Sequence, residues 1–177
     1  NTATFFAMSS ENMDRPKEET EFISMLLNNS IKKHLPDLLD NQVKFSVIGD
    51  ISHLPENIKK TIEHAETVTS KFTKYKLNIA YNYGGQWDVI NSISTLLDKK
   101  LTISYENLSK HLSTGSDFPD LIVRTGGYKR LSNFMLWQAA YSEIIFLETL
   151  WPEFSSKDVS EILSNYRSIK RKFGKVD

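Results

Sequence analysis

Five runs of the chain are apolar, β-branched or aromatic enough to read as strands. They are TATFFAM (residues 2–8), VKFSVIG (43–49), KLNIAYN (76–82), DLIVR (120–124) and EIIFL (143–147). Between them the apolar positions take up helical spacing, and this alternation predicts crossover units on a mostly parallel sheet flanked by helices, an α/β fold in a single domain. The helix after the first strand opens at Pro16 and carries Glu18, Glu19 and Glu21 near its positive end, where acids are favoured. A second helix, from Pro55, places Ile58, Ile62, Ala65 and Phe72 on one face, and a third places Ile90, Ile93 and Leu97; both are expected to lie flat against the sheet. Shorter helices are predicted over residues 105–112 and 132–140, and a last one has Val159, Ile162, Tyr166, Ile169 and Phe173 on a stripe. The first helix differs. Phe22, Ile23, Met25, Leu26 and Leu27 make it apolar around most of its circumference, so it has two surfaces to bury, either as a central core helix or with one side lining an apolar cavity.

Composition narrows the function classes. In 177 residues Lys+Arg and Asp+Glu each count 22, so no overall field draws in nucleic acid, and any anion site has to be a local cluster. Without cysteine the chain has neither disulfides nor a thiolate metal site, and a reducing cytoplasm is the expected setting. No apolar run approaches the ~18 residues that cross a bilayer. The chain opens at Asn1 directly on a strand-like run, and because domains seldom begin inside a core, an upstream segment is expected to precede it.

In open parallel sheets ligands gather at the carboxyl ends of the strands. Here those ends read SSENMDRP (9–16), Gly49-Asp50, NYGGQWD (82–88) and RTGGYKRLSN (124–133). In the last of these, Arg124 closes the strand, Gly126 and Gly127 permit a tight turn, Lys129 and Arg130 follow with no acid between, and Ser132 stands where a helix N-cap would. Free backbone N–H groups, a helix tip, a hydroxyl and two guanidinium forks together suit a phosphate or diphosphate. The competing account is a solvated turn whose arginines pair with surface acids. Gly84-Gly85 reads as a chain turn, and His34, His53, His64 and His111 show no metal-ligand spacing.

Taken in order and spacing, SSENMDRP, VIGD, LNIAYNYGGQWDV, DLIVRTGGYKRLSNFMLWQAAYSE and LWPEF resemble the cis-prenyltransferases, most closely the bacterial undecaprenyl diphosphate synthases, over essentially the whole chain. The resemblance implies a homodimeric, Mg²⁺-using enzyme that adds isopentenyl diphosphate repeatedly to farnesyl diphosphate with cis geometry and delivers a long polyprenyl lipid for cell-wall glycans to the membrane. It further implies that Arg124, Arg130 and Ser132 hold the isopentenyl diphosphate, helped by Arg15. Ser9, Glu11 and Asn12 would shape the space between the substrates, with Asn12 in the proton-removal network. Met8 and Met13 would touch the allylic substrate, and Glu143 would be the carboxylate associated with the metal. An α-helix of eleven residues from Ser132 would span about 16 Å and carry Glu143 to the opposite edge of the sheet, so it acts across the dimer or along a bent path; the plainer account is an acid at a strand start pairing with a basic residue.

The departures are specific. By the resemblance, the family's aspartate in a glycine-rich turn is expected upstream of Asn1, and residues 1–177 are expected to correspond to the domain without its first strand and diphosphate-binding loop. Met8 and Met13 stand where aromatics are usual, Tyr128 stands in place of an acid, and Gln86 in place of an arginine. Phe45, Val47, Leu77 and Ile79 are candidates for a product tunnel, and the basic tail IKRKFGK for a helix end or a segment reaching the site. A non-catalytic partner subunit and a phosphate-binding module without turnover are the alternatives; the retained Arg124, Arg130 and Ser132 favour the enzyme.

Overall fold

The structure is a computed structural model that describes residues 1–170; Phe173 of the expected terminal stripe, and the tail beyond Lys170, lie outside the described residues. The described residues form two compact units, residues 1–116 and the residues from 117 onwards.

In the first unit the elements run β1 (Thr2–Phe6), α1 (Lys17–Asp40), β2 (Val43–Ile48), α2 (Glu56–Thr69), β3 (Tyr75–Ala80), α3 (Gly85–Asp98) and α4 (Tyr105–His111). The three strands form a parallel sheet in the order β1-β3-β2. Phe45 pairs with Leu77 and Val47 with Ile79, so one sheet face carries these four side chains together. Under α1 and α2 that face makes the core, with Phe45 buried beside Leu27, Ile31, Ile58 and Ile62, and Val47, Leu77 and Ile79 packed on its margin. The four expected tunnel residues thus serve as core wall.

β2 is an edge strand, and α2 covers its outer hydrogen-bonding edge. Phe45 N–H donates to Thr69 Oγ1 at 3.1 Å and Val47 N–H to Glu66 Oε1 at 2.8 Å, which removes the donors that would otherwise invite another strand. Burial pushes the Glu66 carboxyl above its ordinary value of 4.5, against the lowering effect of the Val47 N–H. The folded-state value lies above the unfolded one, so the stability tied to Glu66 is complete below about pH 4.5 and is lost as pH rises through the raised value. Glu66→Gln keeps an oxygen for Val47 and removes the buried charge. Its urea midpoint should exceed that of the parent at pH 7, the gap closing towards pH 4; equal midpoints at pH 7 would contradict the assignment.

The second unit holds β4 (Leu121–Arg124) and β5 (Glu143–Phe146), a parallel pair, followed by α5 (Ser156–Ser168). Ser155 N–H donates to Asp158 Oδ2 at 2.8 Å at the start of α5, an acid-capped helix start. Among the described residues no helix is long and apolar enough to cross a membrane.

Four expectations need correction. Phe72 falls beyond the end of α2, while Ile58, Ile62 and Ala65 are buried as expected. On α3 the apolar stripe faces outwards, Ile90 and Leu97 being exposed, and the buried positions are Gly85, Asp88, Ser92 and Leu96. On α1 only one surface is buried, through Ser24, Leu27, Asn28 and Ile31, leaving Phe22, Met25 and Leu26 exposed. Residues 132–140 do not form an α-helix: Ser132, Asn133 and Met135 adopt left-handed φ of 49°, 61° and 46°, and a 3-10 turn follows at Gln138–Tyr141.

Candidate functional site

The carboxyl end of β1 leads into a 3-10 turn at Ser10–Asp14. Past the strand the chain stays beside β3: Tyr83 N–H donates to Met8 O and Ser10 N–H to Tyr83 O. Asn12 closes the turn, its Oδ1 accepting from Ser9 N–H at 3.1 Å while its own N–H donates to Ser9 O. Ser9 and Asn12 are therefore brought together, and Glu11 is exposed between them. Arg15 pairs with Glu19 one helical turn on, both half-exposed. Met8 is a core residue, 2% exposed, and Met13 packs against the same core.

The neighbouring strand ends are tied to one another. Asn82 Nδ2 donates to Asp50 O at 2.8 Å, and Asp50 N–H returns a bond to Asn82 O. Hydrogen bonds from the Ser52 hydroxyl and amide hold the Asp50 carboxyl below its usual range.

In the second unit the arginine turn is built on the carboxyl end of β4. Gly126 and Gly127 take φ of 87° and 76°, a region in which side chains are strained. Their N–H groups donate to Thr149 O and Leu147 O, which zips the turn to the segment after β5. Those two amides are thus engaged within the protein, and no helix begins at Ser132 to offer its tip to an anion. The side chains remain. Arg124 Nη1 donates to Arg130 O at 2.6 Å and to Ser132 Oγ at 2.8 Å, bringing the three expected residues into one cluster. Both guanidinium groups lie over the Tyr128 ring, Arg130 Cζ at 4.3 Å and Arg124 Cζ at 5.8 Å from its centroid. Among the described residues no carboxylate forms an ion pair with either arginine. The turn is exposed, as the competing account has it, but its arginines are not neutralised by surface acids among the described residues.

Glu143 is not part of this cluster. It opens β5 opposite Leu121, three residues before Arg124 in register, which places it ~10 Å along the strands from the arginine end. The expected opposite edge is reached, by an irregular path in place of a helix. The acid at the arginine end is Glu148, whose Oε2 is 2.6 Å from where a Cβ on Gly127 would stand. The signal for it was position alone: it directly follows the fifth strand-like run. Among the described residues no three His, Cys, Asp or Glu side chains gather closely enough to hold a metal ion.

Comparison with known proteins gives this geometry a family. The family model described as putative undecaprenyl diphosphate synthase matches residues 1–174. The chain is 42% identical to a tritrans,polycis-undecaprenyl-diphosphate synthase (geranylgeranyl-diphosphate specific) of Pyrobaculum aerophilum, over 97% of this chain and 76% of the relative. It is 40% identical to a ditrans,polycis-undecaprenyl-diphosphate synthase ((2E,6E)-farnesyl-diphosphate specific) of Shewanella oneidensis, over 97% of this chain and 65% of the relative. A crystal structure of a probable undecaprenyl diphosphate synthase from Campylobacter jejuni superimposes with a TM-score of 0.91 at 36% identity, covering 99% of this chain and 84% of that one. With a match along nearly its whole length and a parallel α/β architecture in common, the chain belongs to the undecaprenyl diphosphate synthase family of cis-type prenyltransferases.

Proposed function

We propose that the chain condenses isopentenyl diphosphate repeatedly onto farnesyl diphosphate with cis geometry, giving a long polyprenyl diphosphate of the undecaprenyl class. The observation that carries this reading is the Arg124, Arg130 and Ser132 cluster, two cations and a hydroxyl with no acid paired to them among the described residues. In each cycle the allylic C–O bond breaks and diphosphate leaves with its electron pair. The double bond of isopentenyl diphosphate then attacks the electron-poor carbon, and a proton is lost. Such a reaction asks the protein to hold and align two diphosphate esters and to stabilise charge as it develops. Arg124, Arg130 and Ser132 hold isopentenyl diphosphate. Ser9, Glu11 and Asn12 serve the space between the substrates, with Asn12 in proton removal. Met13 borders the allylic substrate with Met8 behind it, and the outward Phe22, Met25 and Leu26 of α1 offer apolar surface to the growing hydrocarbon.

Enzymes of this family generally use a divalent metal. Mg²⁺ is commonly held by one or two carboxylates together with substrate phosphate oxygens, and it would supply charge neutralisation of the leaving diphosphate. Glu143 does not fit such a site at the arginine cluster of its own chain, because it lies at the other end of the strand pair. Its position favours action across a homodimer. The setting we propose is cytoplasmic, peripheral to the membrane when the lipid product leaves.

Full-length protein incubated with isopentenyl diphosphate, Mg²⁺ and either farnesyl or geranylgeranyl diphosphate should release diphosphate and form elongated lipid, with farnesyl diphosphate preferred. No turnover with either allylic substrate would remove the enzymatic reading. A preference for the geranylgeranyl ester would correct the allylic assignment, on which the two relatives differ by name. Arg130→Ala should raise KM for isopentenyl diphosphate about tenfold, the loss of one charge-assisted contact, and leave KM for farnesyl diphosphate within about twofold. Equal weakening of both would refute the division of the two sites.

A further inference from the structure

We infer that Tyr128 is a positioning residue for the arginine pair: its ring gathers the guanidinium groups of Arg124 and Arg130 while leaving their charge intact for a diphosphate. The inference rests on the diphosphate reading of that cluster. Two cations held close together repel, and something must offset the repulsion for both to face one ligand. A carboxylate, the residue usual at this place in the resembled family, would do so at the expense of part of the positive charge. An aromatic face attracts cations through its quadrupole and carries no net charge.

The turn is built to present that face. Gly126 and Gly127, bonded to Thr149 O and Leu147 O, fix the backbone immediately before Tyr128. Arg130 Cζ lies 4.3 Å and Arg124 Cζ 5.8 Å from the ring centroid. Arg124 also ties Arg130 O and Ser132 Oγ, so the two arginines are linked through the backbone as well as through the ring. Tyr128 itself is 57% exposed, a large aromatic that contributes little to a core. Its packing partner is the cation pair. The class of ligand is set by those partners: a planar fork suits two oxygens of one phosphoryl group, and two forks suit a diphosphate.

The test titrates inorganic pyrophosphate calorimetrically into the full chain and into Tyr128 variants. Tyr128→Phe keeps the ring and should bind within about twofold of the parent, whereas Tyr128→Ala should bind about tenfold more weakly, two exposed cation–π contacts being lost. Tyr128→Leu occupies similar space without the quadrupole and should fall with alanine. Tyr128→Glu should bind still more weakly and show a flatter dependence on salt, because one positive charge is cancelled; Tyr128→Ala should keep the steep salt dependence of the parent. If Tyr128→Leu binds like Tyr128→Phe, or if Tyr128→Ala binds like the parent, the inference is overturned. Arg130→Ala separates this from failure of the underlying reading. Pyrophosphate binding that survives Arg130→Ala unchanged overturns the diphosphate site itself, while binding lost in Arg130→Ala but retained in Tyr128→Ala overturns only the role of the ring.

Discussion

Arg124→Ala should lower kcat/KM for isopentenyl diphosphate by about a thousandfold, a loss of ~4 kcal/mol in transition-state stabilisation, if the cluster holds that diphosphate as proposed. The expectation exceeds that for Arg130 because Arg124 does two things. It offers a fork to the ligand, and its Nη1 holds Arg130 O and Ser132 Oγ in place. Alanine removes the charge and releases the two groups whose positions complete the cluster, so the losses compound. Arg124→Lys distinguishes charge from geometry. A lysine keeps the positive charge, but its compact ammonium lacks the planar fork in which Nη1 serves both Arg130 O and Ser132 Oγ and leaves the other guanidinium nitrogens for phosphate oxygen. That variant should retain about a tenth of the parent value or less. Steady-state elongation with isopentenyl diphosphate varied at saturating allylic substrate reads both effects. If Arg124→Ala falls less than about threefold, or Arg124→Lys matches the parent, the cluster does not hold the reacting diphosphate.

The strands were the most legible part of the chain because their signal is local. β-branched and aromatic runs at 2–8, 43–49, 76–82, 120–124 and 143–147 became Thr2–Phe6, Val43–Ile48, Tyr75–Ala80, Leu121–Arg124 and Glu143–Phe146. Where the reading failed, the deciding interaction lay elsewhere in the chain. The apolar stripe of α3 misled because apolar spacing says nothing of a polar group with a dedicated partner: Asp88 and Ser92 are buried since Tyr83, Ser113 and His111 meet their oxygens. Residues 132–140 carry helical periodicity, yet left-handed φ at Ser132, Asn133 and Met135 breaks the helix before it starts. Of these only asparagine is a residue type that advertises such a conformation.

The candidate site was legible as a set of residue types and less so as a geometry. The sequence placed Arg124, Arg130 and Ser132 together, and they are together, but for a different local reason. A helix N-cap was expected to gather them, and the link is instead the Arg124 side chain acting on its own turn. Likewise the diglycine was expected to bare its amides to a ligand, and it uses them to fasten the turn to residues 147 and 149. Side-chain chemistry survives such changes of backbone, and this is why the three residues still form one cluster while the expected helix dipole does not.

Asp88→Ala should destabilise the fold by about 4 kcal/mol, a large part of the 5–15 kcal/mol typical of a domain. Asp88 is fully buried at the start of α3. Its Oδ2 accepts from Tyr83 OH at 2.9 Å, and its Oδ1 from Ser113 N–H at 2.8 Å and Ser113 Oγ at 2.7 Å. Truncation deprives three donors of this acceptor in a region closed to water, each costing ~1–3 kcal/mol. Asp88→Asn separates lost acceptors from lost charge. The amide oxygen can still accept from Ser113, and the Tyr83 hydroxyl can rotate to accept from the amide nitrogen, so a cost of only about 1–2 kcal/mol is expected. Tyr83→Phe removes one donor and its acceptor contact, about 1 kcal/mol. Urea midpoints at pH 7 should fall in the order Tyr83→Phe, Asp88→Asn, Asp88→Ala, the last furthest from the parent. The consequence reaches the candidate site, because the backbone of Tyr83 accepts from Ser10 and donates to Met8, so a loosened Tyr83 also frees the turn that carries Ser9 and Asn12. Asp88→Ala should therefore lose turnover even at temperatures where it remains folded. If its midpoint shifts by less than about 1 kcal/mol, the buried carboxylate is not what holds α3 and this turn in register.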